Sequence, residues 1–342
     1  TQEHFDMYRR CKDEGAKLGV EFPYGVAEGV RKMRADTLHR RTAGLALLAP
    51  DQCEEIHLAA LEVLDRVGVN VFEPEALALL SEHGARVDGE RARIPAWMVR
   101  RALSTAPCRV PIGRRAAGAA DGGAAAPRVM LLERGRIYFG TGSDTQFTFD
   151  LEDGRRRLAR KQDVANAARL ADALPNIDFV MSLGLASDVP AANSYVHQFE
   201  AMVLNTVKPI LYTATDRRDV EDILAIAEAV AGGREALAAR PFLVLYAEPT
   251  SPLQHSREAV EKLLLCAERR VPVLYIPAVM LGATAPVTIA GALAQINAEC
   301  LSGLVLHQLS SPGAPFIYGG AAPVMDMRTS LCSYGSPELI LS

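Results

Sequence analysis

The chain has 342 residues, of which 49% are hydrophobic and 23% charged, a mixture typical of a folded globular protein rather than a disordered or fibrous one. Its 37 basic and 41 acidic side chains give a net charge of -4. The sequence therefore offers no broad basic face for a nucleic acid or for an anionic membrane surface.

Cysteine usage and hydropathy indicate a soluble, cytoplasmic protein. The six cysteines are scattered singly, without the C-x-x-C spacing of a zinc site and without the density of a disulfide-rich module. The longest apolar stretch, residues 288–306, contains Gln295, Asn297 and Glu299, so we do not expect it to span a membrane.

Residues 1–114 are predicted to form a mainly helical N-terminal region. Pro50, Pro74 and Pro95 each open an amphipathic pattern that is typical of a helix with proline in its first turn. Residues 115–127 (RAAGAADGGAAAP) have the low-complexity composition of a surface loop. We interpret this loop as the boundary between two regions.

From residue 128 to residue 342, short apolar runs alternate with helical stretches, which is the pattern of repeated βα units. The six predicted strands have no polar face, as expected of parallel strands buried on both sides: Ile137–Gly142, Phe179–Ala186, Pro209–Ala214, Phe242–Glu248, Pro272–Pro277 and Pro315–Gly319. The predicted helices lie between them: Asp163–Leu174, Asn193–Asn205, Arg217–Val230, Ser256–Arg269 and Val287–Leu306.

This α/β pattern predicts a TIM-type (βα)8 barrel of which about six of the eight units are present, so that the barrel is truncated at its C-terminal end. Ser336 and Pro337 open one more helix close to the end of the sequence, and we therefore expect the natural protein to continue. A doubly wound open sheet is the alternative. It is weakened because no complete G-x-G-x-x-G fingerprint occurs.

A recurring apolar-apolar-tyrosine pattern marks the predicted strands. It places Tyr212, Tyr246, Tyr318 and, less regularly, Tyr275 near the carboxyl ends, where barrel active sites are built. Glu248 follows two residues after Tyr246 and therefore shares its face of the strand. Phenol rings beside one carboxylate suit a cationic ligand, especially a methylated ammonium, whereas the alternative is that the tyrosines only fill the core.

Three further polar residues are weaker candidates. Asp144 follows the first predicted strand, and His255 lies in the loop after Glu248. His197 is three residues from Glu200 on one helix, where the pair could orient a substrate or brace the barrel. Histidines with H-x-x-x-H spacing and a Gly-x-Ser-x-Gly motif are both missing from the sequence, so neither a zinc site nor a hydrolase triad is predicted.

The chain also contains the strings APDQCEEIHLAALEVLDRVGV (49–69), YFGTGSDT (138–145), LADALPNIDFVMS (170–182), LYAEPTSPLQHS (245–256), GATAPVTIAGALAQINAE (282–299) and PGAPFIYGG with MDM (312–327). With these strings it resembles the trimethylamine methyltransferase family, the corrinoid-dependent methylamine and betaine methyltransferases. The resemblance implies a TIM-type barrel. It also implies transfer of a methyl group from an amine to the cobalt of a corrinoid (cobalamin) that a partner protein carries.

Some family members contain pyrrolysine and act on trimethylamine. This sequence shows only standard residues, which favours a member that demethylates glycine betaine or a related quaternary amine. Because the cobalt is the nucleophile and a neutral amine leaves, no catalytic residue is assigned to this chain. A trimethylamine methyltransferase and a non-catalytic quaternary-amine binding protein are the alternatives, and we expect a homo-oligomer.

The resemblance suggests roles for the candidate residues. Tyr212, Tyr246 and Tyr318 would hold the cation, with Tyr275 as a less regular member of the set. Glu248 would balance the charge of the cation. The carboxylate of a betaine would need a hydrogen-bond donor, for which the candidates are His197, His255 and Arg328.

Overall fold

Helices and short strands alternate along the part of the chain that the computed structural model describes, residues 47–115, 129–150 and 152–341. This alternation confirms the predicted α/β class. By their contacts, residues Leu45–Ser342 form one unit. Most of the predicted boundary loop at 115–127 lies outside the described residues, so the division into two regions stays a prediction.

The N-terminal part of the described chain contains the three predicted helices together with short strands that were not predicted. In chain order the elements are α1 (Pro50–Glu62), β1 (Val69–Val71), α2 (Pro74–Glu82), β2 (Arg86–Asp88), β3 (Arg91–Arg93), α3 (Ala96–Thr105) and β4 (Val110–Gly113). A π-helical turn, Val63–Val67, follows α1 and ends at Gly68, which has a φ of 78°. A side chain at Gly68 would collide with the carbonyl oxygen of Ala92.

The remaining elements include the predicted helices and four of the six predicted strands. They are β5 (Val129–Leu132), β6 (Phe147–Phe149), β7 (Arg156–Leu158), α4 (Lys161–Ala173), α5 (Ser194–Asn205), β8 (Ile210–Tyr212), α6 (Arg217–Ala231), α7 (Arg234–Ala239), β9 (Leu243–Ala247), β10 (Gln254–His255), α8 (Arg257–Arg269), β11 (Val273–Tyr275), α9 (Ile289–Ser310), β12 (Phe316–Tyr318), β13 (Val324–Asp326), β14 (Leu331–Ser333) and α10 (Pro337–Leu341). Side chains of Asp216, Ser256 and Thr288 accept hydrogen bonds from first-turn amides and cap α6, α8 and α9.

Six parallel segments lie side by side in the order in which they occur along the chain. β8, β9, β11 and β12 form a four-stranded parallel sheet. Isolated parallel bridges from Val180 to Ile210 and from Gly140 to Phe179 extend it by two segments. The first two predicted strands are thus reduced to single bridges. The described residues do not close into a barrel, so the α/β class is confirmed while the TIM-type barrel is not.

The two faces of this sheet pack against different partners. One face, here called the helix face, packs against the helices and includes Ile210, Leu245 and Val273. The opposite face, here called the inner face, forms a separate apolar cluster that includes Leu211 and Val244. Which face a residue occupies decides whether it belongs to the core or can reach a ligand.

A two-stranded antiparallel sheet closes the amino end of the inner face. β4 pairs with β5, and Ile112 of β4 packs into the inner cluster. The Gly113 amide donates to the carbonyl of Pro241, just before β9, and the Arg115 amide donates to that of Val207, just before β8. The inner face is therefore covered at its amino end, and its polar residues lie at the carboxyl end.

The N-terminal strands depend on contacts with distant residues. β1 pairs antiparallel with β3, and β3 pairs with β2. On its other edge β1 pairs parallel with β10, where Asn70 lies opposite Gln254 and Val71 opposite His255. β10 belongs to the loop after β9, so this small sheet fixes the path of a loop that leaves the carboxyl end of the parallel sheet.

α9, Ile289–Ser310, is the one described helix long and apolar enough to cross a membrane by length and composition alone. It packs against α1, α3 and α8. Its buried residues include Glu299, Ser302 and His307, and 61% of its most apolar 18-residue stretch is buried. These contacts are those of a core helix and are compatible with a soluble protein.

Candidate functional site

The four tyrosines that we predicted to ring one cavity lie on two different faces of the sheet. Tyr212 and Tyr275 are 1% and 0% exposed on the helix face, and Tyr318, paired with Tyr275, shares that face. Tyr246 packs on the inner face. Tyr246 of β9 lies opposite Leu274 of β11, whereas Tyr275 lies opposite Ala247. The two tyrosines are therefore offset by one residue across the paired strands. A shift of one residue places a side chain on the opposite face, and the predicted ring is not formed.

The helix-face tyrosines brace the sheet against its helices. The Tyr212 hydroxyl lies 3.7 Å from Cys266 Sγ, and the Tyr212 ring packs edge-on against Phe199 at 5.8 Å. The Tyr318 hydroxyl donates to Asn297 Oδ1 at 3.2 Å. Tyr318 also lines a mainly apolar cavity of about 500 Å³ on the helix side, together with His57 and Asn297. We therefore remove these tyrosines from the site that we propose.

His255 is fully buried and lies away from solvent. Its Nδ1 is 2.8 Å from the Tyr275 hydroxyl, and its Nε2 is 2.8 Å from Ser302 Oγ. Burial lowers the pKa of His255 to about 4, so the imidazole is neutral near pH 7. These contacts join β10 to β11 and to α9. They indicate a structural role for His255 rather than contact with a substrate.

We expect buried histidines to make the protein unstable in mild acid. Burial lowers the pKa of His307 to about 3, as it lowers that of His255 to about 4, so the unfolded chain binds more protons than the folded one below pH 6.5. From pH 7 to pH 5 each histidine should remove about 2 kcal/mol from the free energy of unfolding. Urea unfolding of His255→Gln should show a smaller loss over this range. Equal losses in wild type and variant would contradict the prediction.

His197 takes part in a charged cluster that joins two helices. Lys161 Nζ, at the start of α4, lies 2.5 Å from Glu200 Oε2 and 3.1 Å from His197 Nδ1, both on α5. The hydrogen bond from Lys161 lowers the pKa of Glu200. Arg328 lies exposed in the turn between β13 and β14, where its amide donates to Asp326 Oδ1 at 2.8 Å. The described contacts do not place either residue with the polar groups of the inner face.

Tyr246 and Glu248 form a hydrogen-bonded pair at the carboxyl end of β9. The Tyr246 hydroxyl donates to Glu248 Oε1. Burial is the main cause that raises the pKa of Tyr246 far above its ordinary value, and this hydrogen bond is the second. The phenol therefore keeps its proton. Tyr246 is half-buried and Glu248 is exposed. The pair presents an aromatic ring and a carboxylate together at the edge of the inner face.

Asp144 lies near this pair, in the loop after the first parallel segment. It has a φ of 57°, and its amide donates to the carbonyl of Ser182 at 3.0 Å. Its carboxyl interacts with the hydroxyls of Ser143 and Thr213, yet its Oδ1 is buried and has no hydrogen-bond partner among the described residues. Burial raises the pKa of Asp144. Positive φ and an unpaired buried oxygen both cost free energy, and such features cluster at functional sites.

Electrostatic interactions link these residues into one group, which we call the mouth cluster: Ser143, Asp144, Tyr195, Thr213, Tyr246 and Glu248. The negative charge of Asp144 helps to raise the pKa of Tyr246 and that of Tyr195. Tyr195 lies in the first turn of α5 and forms a hydrogen bond with Thr213. Of the predicted site residues, the structure thus brings together Asp144, Tyr246 and Glu248.

Sequence reasoning missed three members of the mouth cluster. Ser143 follows the first predicted strand and Thr213 follows β8, so a rule that selects residues at strand ends would have found both if hydroxyls had been included. Tyr195 lies on a helix and gave no signal, because only the packing of α5 brings it to the sheet. Neighbouring strands and a helix therefore contribute to one site that no short motif encodes.

The mouth cluster is suited to a cation. It offers two carboxyls, two phenols and two hydroxyls, and none of its six members is a lysine or an arginine. Across residues 47–115, 129–150 and 152–341, groups of three or more histidine, cysteine, aspartate or glutamate side chains that could hold a metal ion were not found. A positively charged organic group would pair with the free Asp144 oxygen and stack on the phenols.

Comparison with known proteins agrees with the resemblance seen in the sequence. A family model described as trimethylamine methyltransferase (MTTB) matches residues 25–342. Trimethylamine methyltransferase MttB of Desulfitobacterium hafniense is 35% identical over 302 residues, which cover 86% of this chain and 58% of that protein. Glycine betaine methyltransferase of another strain of that species is 29% identical over 296 residues, which cover 86% and 60%.

A third relative comes from an archaeon. Trimethylamine methyltransferase MttB of Methanosarcina thermophila is 33% identical over 306 residues, which cover 86% of this chain and 61% of that protein. The chain thus spans about three fifths of the length of these relatives. Since the family model covers nearly the whole sequence, the predicted family is confirmed, and the chain belongs to the trimethylamine methyltransferase family.

Proposed function

We propose that the protein transfers a methyl group from a methylated ammonium donor to the reduced cobalt of a corrinoid that a partner protein carries. Membership of the family supports this function, as do the names of relatives that act on trimethylamine or glycine betaine. The observation that carries it in this chain is the buried, unpaired Oδ1 of Asp144 beside the Tyr246–Glu248 pair.

The chemistry of the mouth cluster fits a methylated ammonium. Such a group spreads its positive charge over methyl groups and offers few or no hydrogen-bond donors, so aromatic faces and nearby carboxylates bind it better than an amide would. Tyr246 provides the ring, and Asp144 and Glu248 provide the negative charge. The apolar inner face beneath them would exclude water from the methyl groups.

The proposed step needs little from the protein beyond position. The C–N bond breaks, its electron pair stays on nitrogen, and the methyl group passes to the acceptor, so a quaternary donor leaves as a neutral amine without a general acid. The corrinoid, when its carrier protein is bound, supplies the nucleophile. The residues of this chain hold and orient the donor. No residue is therefore assigned as catalytic.

We also propose that the six parallel segments belong to a TIM-type (βα)8 barrel in residues 128–342, preceded by an N-terminal region, 1–114, and a loop, 115–127. Their order along the sheet supports it, because neighbours in space are neighbours in sequence, whereas a doubly wound sheet reverses its strand order. The paired strands β4 and β5 at the amino end agree with a filled barrel interior. We further propose that the protein is cytoplasmic and that it forms a homo-oligomer.

Two donors are proposed. A quaternary amine such as glycine betaine is the first, and trimethylamine is the second. The second is favoured by one observation: the six members of the mouth cluster include two carboxyls and no basic side chain, so the cluster itself offers no cation for the carboxylate of a betaine. A protonated or quaternary amine without a carboxylate would avoid repulsion by these two groups.

The test uses the full-length protein with free cob(I)alamin and a panel of glycine betaine, trimethylamine and tetramethylammonium. We expect absorbance changes that report methylcobalamin with at least one donor. Methylation from glycine betaine but not from trimethylamine would establish the first donor, and the reverse result would establish the second. Binding of glycine betaine without methyl transfer from any donor would contradict the enzyme and support a binding protein.

A further inference from the structure

A two-stranded hairpin stands beyond the carboxyl ends of β11 and β12. It consists of β13 and β14, which pair antiparallel. Before β13, Ala321 forms a parallel bridge with Ala278, and within β13, Val324 forms one with Leu281. Because Ala278 and Leu281 follow the carboxyl end of β11, β13 continues the parallel pairing of β12 with β11 past the end of the sheet. The hairpin therefore lies at the same end of the sheet as the mouth cluster.

Backbone hydrogen bonds hold this hairpin in position. The Leu281 amide donates to the carbonyl of Pro323 at 2.9 Å, and the Met325 amide donates to the carbonyl of Leu281 at 3.1 Å. The loop between the two strands is closed by a hydrogen bond from the Ser330 amide to the carbonyl of Asp326 at 2.7 Å. An isolated two-stranded hairpin is only marginally stable, so the bonds to Leu281 give it a fixed support for the residues that follow β14.

Tyr334 directly follows β14 and lies close to Tyr246 of the mouth cluster. The Ser336 amide donates to the carbonyl of Ser333 at 3.4 Å, so Tyr334 occupies a turn at the end of the hairpin. Burial and the hydrogen bond to Glu248 raise the pKa of Tyr246 most, and the electrostatic influence of Tyr334 raises it further. The Tyr334 side chain is 76% exposed. The hairpin thus brings a second, accessible phenol to the edge of the mouth cluster.

We propose that Tyr334 contributes a further aromatic ring to the donor site and contacts the methylated ammonium from the side of the hairpin. This inference rests on the proposed function, which places the donor at the mouth cluster. The composition of the cluster argues for a cation as the occupant, because it holds two carboxyls and no basic side chain. The face of a phenol ring attracts a cation, and Tyr334, unlike the fully buried Tyr275, is open to a ligand.

The test measures the binding of tetramethylammonium to the full-length protein by titration calorimetry at pH 7.5. Tyr334→Leu should weaken binding by about two- to thirtyfold, because leucine keeps an apolar side chain but has no ring to attract the cation. Tyr334→Phe keeps the ring and should change the affinity less than about twofold. The matched control is Leu331→Ala, which alters an apolar side chain that is 66% exposed on the same hairpin and should leave the affinity unchanged.

The outcomes separate this contact from the proposed function. Unchanged affinity in Tyr334→Leu, or an equal loss in Tyr334→Phe or in Leu331→Ala, would overturn the ring contact, as would a wild type that does not bind tetramethylammonium. Methyl transfer by the wild type to free cob(I)alamin would leave the proposed function standing in each of these cases. Binding that depends on the Tyr334 ring, without methyl transfer from any donor of the panel, would instead support the contact and contradict the function.

Discussion

Replacing Asp144 by asparagine is expected to weaken the binding of tetramethylammonium roughly tenfold or more, because the attraction between two unit charges about 4 Å apart is worth about 1 kcal/mol in water and about 4 kcal/mol near a protein surface. The substitution keeps the shape of the side chain but removes the charge that the unpaired Oδ1 would offer to a cation. Titration calorimetry at pH 7.5 measures the affinity. Since burial raises the pKa of Asp144, wild-type affinity should also fall as the pH is lowered through that pKa.

Two tyrosine variants provide the control for this experiment. Tyr246→Phe loses the hydroxyl that donates to Glu248 and should weaken binding, because the carboxylate is then no longer held beside the ring. Tyr212→Phe changes a hydroxyl on the helix face that contacts Cys266, so the affinity should stay the same. Unchanged affinity in Asp144→Asn, or an equal loss in both tyrosine variants, would contradict the proposed location of the donor site.

Replacing Glu299 by alanine is expected to lower the free energy of unfolding by about 3–5 kcal/mol, the cost of breaking a buried polar network. Glu299 is 0% exposed on α9. Its Oε2 accepts from Ser251 Oγ at 2.6 Å, and its Oε1 accepts from the Leu253 amide at 2.9 Å and from Gln295 Nε2 at 2.8 Å. Alanine would remove the acceptor of these three donors and leave a cavity, although Gln295 Nε2 keeps its second hydrogen bond, to the carbonyl of Thr284 at 2.8 Å.

Glu299→Gln is the matched control for this prediction. Glutamine keeps the shape and one acceptor oxygen, so the expected loss is smaller, about 1 kcal/mol for the weakened hydrogen bonds. Burial raises the pKa of Glu299, which means that the carboxylate is costly to ionise and that the neutral amide recovers part of the loss. Urea unfolding at pH 7 would measure both variants. A loss of only about 1 kcal/mol in Glu299→Ala would contradict the prediction.

Local signals made the helices predictable from the sequence. Asp216, Ser256 and Thr288 cap helices whose apolar spacing is also visible in the sequence, and these signals act over a few residues only. The parallel strands around residues 210, 243, 273 and 316 were predictable for a similar reason, because strands buried on both faces form continuous apolar runs. Fold class and family could thus be read without coordinates.

The face of the sheet that each side chain occupies depends on contacts between distant strands. The apolar-apolar-tyrosine pattern is the same around Tyr246 and Tyr275, yet the strand register places the first on the inner face and the second in the core. Likewise β1 is a strand because β3 and β10 pair with it, and no pattern within three residues encodes partners so distant. Spacing along one strand fixes alternation, whereas register between strands depends on the packing of the whole sheet.

The same division applies to the candidate site. The family, the α/β class and the positions of Asp144, Tyr246 and Glu248 at strand ends follow from the amino-acid sequence alone. The tertiary structure decided that these three meet, that Tyr195 and Thr213 join them, and that His255 is buried elsewhere. The reason is physical: a strand end can be recognised from neighbouring residues, but proximity between loops arises only when the strands lie side by side.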